Sequence, residues 1–142
     1  MIQLSAHHSE LLQEIHNLSV DPAWSENSFN SLLALPTVFC FGNKDLNCFI
    51  LYSIIDDDAE ILTLATHPDY RRQGLARILL NESFVYLRHC GVRTLFLEVD
   101  VSNTPAINLY KTLDFQLYGT RKNYYKNSDG LLSDALLMRK FF

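Results

Sequence analysis

Apolar and polar positions along this chain switch repeatedly between two periods. Met1 to Leu4 reads as a short strand. Ser5 then suits a helix cap, and Leu11, Leu12, Ile15 and Leu18 recur at helical spacing. Asp21-Pro22-Ala23 breaks that pattern. Ser25 suits the cap of a second helix, with Phe29, Leu32, Leu33 and Leu35 on its apolar side, ending before Pro36. Thr37 to Phe41 and Cys48 to Ile55 are strand-like, rich in β-branched and aromatic residues, with Gly42-Asn43-Lys44-Asp45 as the turn between them. Asp56-Asp57-Asp58 is a further turn into an apolar strand at Glu60 to Ala65. Leu75, Ile78, Leu79, Phe84 and Leu87 outline an amphipathic helix that Gly91 ends. In Thr94 to Val101, Leu95, Leu97 and Val99 fall on one face, and Phe96, Glu98 and Asp100 on the other. Thr104-Pro105 opens a helix carrying Ala106, Ile107, Tyr110 and Leu113. Strands at Phe115 to Arg121 and Asp134 to Phe141 follow, joined through the polar turn Asn127-Ser128-Asp129-Gly130.

The predicted order is β-α-α-β-β-β-α-β-α-β-β. Three consecutive strands followed by alternating elements imply a mixed α/β fold. Its central sheet has about seven strands and is mostly antiparallel, with one βαβ unit in its second half and helices on both faces. The pattern leaves the strand order open.

Composition narrows the class of protein. With 142 residues, 48% hydrophobic and 20% charged, the chain is expected to form a single domain, 1–142, with a real core. A net charge of −4 argues against broad nucleic-acid binding. Three cysteines without metal-ligand spacing argue against a disulfide framework or structural zinc. The N-terminus lacks the pattern of a signal peptide, and no apolar run approaches the roughly 20 residues needed to cross a membrane. A cytoplasmic protein with no metal is expected. His7, His8 and His16 read as solvated surface histidines. Asp56-Asp57-Asp58 reads as a solvated turn, because a calcium loop needs alternating ligands and a distal glutamate. Trp24, the only tryptophan, fits either core packing or the wall of a groove.

The stretch with most chemistry runs from Ala65 to Leu80. An apolar strand feeds a short loop, and Arg71-Arg72-Gln73-Gly74-Leu75-Ala76 then opens directly into a helix. Free N–H groups and the positive dipole end at a helix start favour an anion, and the basic residues add to this. A nucleotide P-loop would need a lysine and a hydroxyl after Gly74, where Leu75-Ala76 stands. A dinucleotide fold would need three glycines near the first strand.

Arg71-Arg72-Gln73-Gly74-Leu75-Ala76 instead resembles the acetyl-CoA motif of the GCN5-related N-acetyltransferases, the GNAT family. Leu97-Glu98-Val99, Asn103, Ala106-Ile107-Asn108-Leu109-Tyr110 and Phe115 follow that family's order. Arg121-Lys122-Asn123-Tyr124-Tyr125, Asp129-Gly130 and Asp134 to Met138 are similar to its RimI-type branch, as is Trp24-Ser25-Glu26 with Phe29. That branch acetylates the N-terminal alanine of a small-subunit ribosomal protein.

The resemblance implies a GNAT fold and acetyl-CoA as cosubstrate. It implies pyrophosphate binding by main-chain groups around Arg72, Gln73, Gly74, Leu75, Ala76 and Arg77, and pairing of the pantetheine arm with Leu64, Ala65 and Thr66. Asn103 matches a further CoA contact, although it equally suits a helix cap. Glu98 matches the proton acceptor and Tyr110 the proton donor. Trp24, Tyr124 and Asp134 are the positions implied for the acceptor, a protein N-terminus. A small-amine acetyltransferase and a non-catalytic acyl-CoA-binding module remain as alternatives. The chain departs from the branch at Pro22-Ala23-Trp24, at Asp114 in place of a turn glycine, at Asp100 where a basic residue is common, and at Leu131-Leu132-Ser133, one residue longer than usual. All of these bear on the acceptor more than on the donor.

Overall fold

The computed structural model describes residues 1–142. Its elements are β1 (Ile2–Leu4), α1 (Ser9–Ser19), α2 (Glu26–Leu33), β2 (Val38–Gly42), β3 (Cys48–Ile55), β4 (Asp58–Thr66), α3 (Leu75–His89), β5 (Thr94–Asp100), α4 (Thr104–Thr112), β6 (Gln116–Lys126) and β7 (Leu132–Phe141), in the predicted order. Short 3-10 turns at Ala6–His8 and Pro68–Tyr70 precede α1 and follow β4. The seven strands form one sheet in the order β1-β2-β3-β4-β5-β7-β6. Every neighbouring pair is antiparallel except β4 and β5, which run parallel because α3 crosses between them.

Strand β3 explains why the sheet is covered on both sides. Its run Cys48-Phe49-Ile50-Leu51-Tyr52 is buried without a break. Cys48, Ile50 and Tyr52 join a cluster with Leu79, Leu80, Phe84 and Leu87 of α3 and Leu95, Leu97 and Val99 of β5. Phe49 and Leu51 point the other way, to Leu12, Ile15 and Phe29 of α1 and α2. Strand alternation therefore feeds two separate cores from one segment. The second layer stops at β4, so the far part of that sheet face, over β5 to β6, carries no helix.

Three details differ from the pattern read from sequence. Ile78 is 54% exposed, and Leu80 takes the inward position on α3 instead. Strand β6 continues to Lys126 because a register irregularity between Arg121 and Tyr125 absorbs the polar residues between them. The third concerns His16, which is fully buried rather than solvated. Trp24 N–H donates to its Nδ1 at 3.1 Å, so Nε2 carries the ring proton and faces Thr63 Oγ1 at 3.1 Å. The ring also stacks on Trp24 at 5.0 Å and meets Phe29 edge-on at 5.4 Å. An i+4 pattern does not distinguish a polar residue at the rim of an apolar stripe from one inside it; here both ring nitrogens find partners, which makes burial tolerable.

Burial lowers the His16 pKa from its ordinary 6.5 to about 4. The unfolded chain therefore binds this proton first as pH falls, and the stability contributed by neutral His16 is complete above pH 6.5 and drains away towards pH 4. His16→Leu is expected to cost about 2 kcal/mol at pH 7.5, because it orphans the Trp24 N–H and the Thr63 hydroxyl. It should also flatten the decline between pH 6.5 and 4. Urea unfolding at pH 7.5 and pH 5 measures both effects. Equal pH-dependent losses in the two proteins would remove His16 as the titrating group.

Candidate active site

The site begins where two parallel strands part. Residues Asp58 to Ile61 of β4 pair with Thr94 to Leu97 of β5, and pairing then stops. On the β3 side, Leu51 faces Thr63 but Tyr52 faces Ile61, so Leu62 is an extra residue, a bulge. Bulges bend and twist the strand that carries them. On the other side, Glu98, Val99 and Asp100 stay paired with β7. The two strands thus diverge, and Glu98 is the first β5 residue beyond the fork.

The open edge of β4 has a defined set of groups. His67 N–H donates to Asn47 O at 2.9 Å, which makes these opposite residues a hydrogen-bonded pair. Antiparallel alternation then turns the main chain of Ala65 and Thr63 towards β3, and that of Leu64 and Thr66 towards the gap. Thr66 O is already used: Ser19 Oγ donates to it at 2.9 Å and Arg71 Nε at 3.3 Å. Leu64 N–H and C=O and Thr66 N–H remain facing the gap.

Beyond β4 lies the turn into α3. Arg72 (φ 60°) and Gly74 (φ 77°) are both left-handed, with Gln73 between them. Where left-handed residues alternate with right-handed ones, successive N–H groups turn to one side and make a nest suited to an anion. Gly74 is the N-cap of α3, makes no side-chain cap bond, and no acidic residue occupies the first turn. The N–H groups of Leu75, Ala76 and Arg77 are thus the uncapped donors of that helix. The arginine side chains divide the work. Arg71 also reaches Ser19 O at 3.4 Å, tying the loop to α1, and Arg77 Nη2 donates to Thr112 Oγ1 at 2.8 Å, tying α3 to α4. Arg72 is exposed.

Asn103 is the N-cap of α4: its Oδ1 accepts the Ala106 N–H at 3.3 Å, leaving the side-chain amide hydrogens for other partners. Tyr110 follows on the inner face of α4, buried and packed against Phe115 at 5.4 Å. Burial, and secondarily the neighbouring Tyr125, raises its pKa, so it stays protonated at neutral pH.

On the helix-free face, Glu98 Oε1 meets Arg121 Nη2 at 3.0 Å. The Arg121 guanidinium lies 4.6 Å over the ring of Tyr124. The hydroxyl pKa of Tyr124 is raised, first by its closeness to the Glu98 carboxylate, then by desolvation. Tyr125 is pushed up to about 12 by burial and then by Glu98. Asp134 Oδ1 accepts the Asn123 N–H at 2.8 Å, holding the left-handed residue beside Tyr124. Glu98 and Tyr124 therefore meet on the helix-free face, while Asp134 alternates in step with Leu136 and Met138 along β7 and meets β6 at the Asn123 main chain. Trp24 stands apart, with its ring contacts on His16 and Phe29. Its loop nevertheless reaches the β6–β7 turn, where Ser128 Oγ donates to Asp21 Oδ2 at 3.0 Å. No three His, Cys, Asp or Glu side chains cluster closely enough to hold a metal ion, and no helix is long and apolar enough to cross a membrane.

The sequence profile of the "Acetyltransferase (GNAT) family" matches residues 10–115. The chain belongs to the GNAT family. Among its relatives is the [ribosomal protein bS18]-alanine N-acetyltransferase of Escherichia coli K12, 42% identical over 96 residues, which are 68% of this chain and 64% of that protein. The chain thus matches slightly less than two thirds of that relative's length. The enzyme of the same name from Salmonella typhimurium is 35% identical over 117 residues, 81% of this chain and 78% of that one. The crystal structure of the E. coli ribosomal-protein-S18-alanine N-acetyltransferase superposes with a TM-score of 0.88 at 33% identity, covering 97% of this chain and 90% of that one.

Two of the departures from the GNAT branch's pattern prove to be one. Asp100 accepts bonds from Ser102 N–H and Oγ, each at 2.8 Å, and from the hydroxyl of Ser133, in the longer β6–β7 segment. Burial opposes its ionisation, but these donors outweigh it and lower its pKa. The extra residue and the unusual carboxylate thus meet. Asp114 takes the left-handed conformation, φ 64°, that an aspartate tolerates in place of glycine. Two residues beside Glu98 escaped the sequence reading. Glu60 had a signal, since it interrupts an apolar strand as Glu98 does. Arg121 was visible only as part of a motif, because its partner lies on another strand.

Gly74 has open space where a Cβ would stand, with nothing within 4 Å. Its requirement is conformational. Gly74→Ala is therefore expected to lose about 1 kcal/mol of stability through the left-handed backbone alone. Denaturant unfolding checks this; a neutral or stabilised variant would show that the cap relaxes to another conformation.

Proposed function

We propose that this protein transfers the acetyl group of acetyl-CoA to the N-terminal α-amine of a protein, and specifically to the N-terminal alanine of a small-subunit ribosomal protein. The observation that carries this reading is the position of Glu98, a carboxylate at the fork where β4 leaves β5. The fork exposes unpaired main-chain groups on one edge, and the nest of α3 lies at the end of that edge. The full-length structural match and the names of the bS18-alanine relatives support the acceptor class. The reading treats residues 1–142 as one catalytic domain of a cytoplasmic enzyme that needs no metal.

The cosubstrate supplies an activated thioester. Its pyrophosphate suits the N–H groups from Arg72 to Arg77, where Gly74 and Ala76 leave the backbone accessible and Arg72 adds charge. Leu64 and Thr66 offer ladder-like partners to the pantetheine amides, with Ala65 between them keeping the strand flat against the α1 layer. The Asn103 amide is free to donate to the same molecule. The Leu64 N–H, aimed into the gap, polarises the thioester carbonyl.

The acceptor arrives from the other face. An α-amine has a pKa near 8 and is largely protonated at neutral pH, so it must lose a proton before it attacks. Glu98 accepts that proton, directly or through water. The C–N bond forms as the C–S bond breaks; the departing thiolate takes the phenolic proton of Tyr110, and the second proton shed by the nitrogen as it becomes an amide restores that phenol. A phenol kept protonated by burial suits that task. Trp24, Tyr124 and Asp134 border the path of the incoming chain, with the two walls clasped at Asp21 and Ser128.

Glu98→Gln and Tyr110→Phe are each expected to lower kcat about 100-fold or more while leaving acetyl-CoA binding intact. Thiol release with alanine-initiated peptides, alongside calorimetric CoA binding, separates the two effects. Turnover unchanged in both variants would remove the acid–base pair. Acetylation of a polyamine but of no peptide would move the acceptor to the small amines.

A further inference from the structure

The carboxylate assigned as the base is already occupied by a cation of the protein itself. Arg121 Nη2 lies 3.0 Å from Glu98 Oε1, with the Glu98 side chain 17% exposed and that of Arg121 51% exposed. Both residues line a cleft of about 320 Å³ on the helix-free sheet face, together with Glu60, Asp58, Phe96 and Tyr118. Glu60 projects from β4, directly across from Phe96 on β5, into the same space. Its pKa is raised by desolvation and by the charge of Glu98, against a lowering contribution from Arg121. One guanidinium therefore shares the cleft with three carboxylates, and of these Glu98 is its partner and Glu60 the one that feels the charge of both. A half-exposed ion pair is weak, worth about 0–1 kcal/mol, so exchange between two such partners is not costly. The acceptor amine arrives as a cation of the same charge, seeking the same oxygen.

We propose that Arg121 is a gate on the acceptor side, which holds Glu98 in the resting enzyme and transfers to Glu60 when the acceptor's ammonium group takes its place. This rests on the reading of Glu98 as the base. Arg121 stays protonated throughout and is a positioning residue. The proton that moves is the acceptor's, from its nitrogen to Glu98. The ring of Tyr124, 4.6 Å under the guanidinium, gives the side chain a surface along which to move without losing its cation–π contact. On this account Glu60 is the second seat that makes release from Glu98 possible.

The test is a double-mutant cycle in steady-state kinetics, with acetyl-CoA and a synthetic peptide carrying a free N-terminal alanine. Arg121→Met vacates Glu98 permanently and should lower the peptide KM about fivefold, the scale of one half-exposed ion pair, with the acetyl-CoA KM unchanged. Glu60→Gln removes the second seat and should raise the peptide KM about threefold on the same scale. In the double variant the Glu60 change should have no further effect, because no guanidinium remains to be received. A general electrostatic field would instead make the two effects add, and additivity overturns the gate. A loss of kcat in Arg121→Met with the peptide KM unchanged also overturns it, since Arg121 would then only orient the base. Arg121→Gln serves the same test if the methionine variant is unstable. Glu98→Gln is run alongside. If it stays active, the base assignment fails and the gate with it; if it is inactive while the cycle is additive, the gate alone fails.

Discussion

Everything distinctive about this molecule follows from the point at which β4 and β5 stop pairing. Parallel strands within a sheet normally satisfy each other's main chain for their whole length. Here one surplus residue, Leu62, bends β4 away after four paired positions, while β5 remains fastened to β7. The N–H and C=O groups released by this divergence are strong and directional, and they point into a gap rather than into a core. A gap through the centre of a sheet has two mouths. One opens beside the start of α3, the other on the face that α1 and α2 leave bare. A reaction between two molecules can thus be fed from opposite sides.

Opening a sheet at its centre weakens it, and the surrounding contacts compensate locally. Arg71 joins the end of β4 to the end of α1 through Thr66 O and Ser19 O. His16 joins the same layer to Thr63, immediately beyond the bulge, and through Trp24 N–H to the loop that borders the acceptor side. Arg77 joins α3 to α4 through Thr112. Each is a polar contact that ties one element to another around the opened sheet, and the side chains that make them are largely distinct from those assigned to the chemistry.

This division explains what the amino-acid sequence made legible. Periodicity identifies the seven strands and four helices, because burial on one face or two leaves a clear imprint, as in the uninterrupted apolar run of β3. The nest was legible because Gly74 and the missing first-turn acid are local features of a helix start. Strand order was not, since the insertion of β7 between β5 and β6 depends on pairing energies spread over both strands. His16 was misread because its burial depends on Thr63 and Trp24, on other elements. The pairing of Asp100 with Ser133 was hidden for the same reason: each looked like an isolated departure, and only the ladder of β5 and β7 brings them together.

The two mouths also differ in how they recognise a partner. The proposed donor side relies on main-chain groups of Leu64, Thr66 and the turn into α3, whose directions depend on backbone conformation and hardly on side-chain identity. Many sequences satisfy it, so it identifies a family and one chemical class of donor. The proposed acceptor side is built from side chains: Glu98, Glu60, Arg121 and Tyr124 on the sheet, with Trp24 apart from them against His16 and Phe29. Carboxylates outnumber the one guanidinium in this cleft, and a single substitution changes that excess. On the proposed reading, selectivity among acceptors resides in the ordering of a few ion pairs, where an exchange of partners follows the arrival of substrate. A rigid fork with a soft electrostatic lining can keep the donor chemistry constant while the choice of acceptor is retuned one residue at a time.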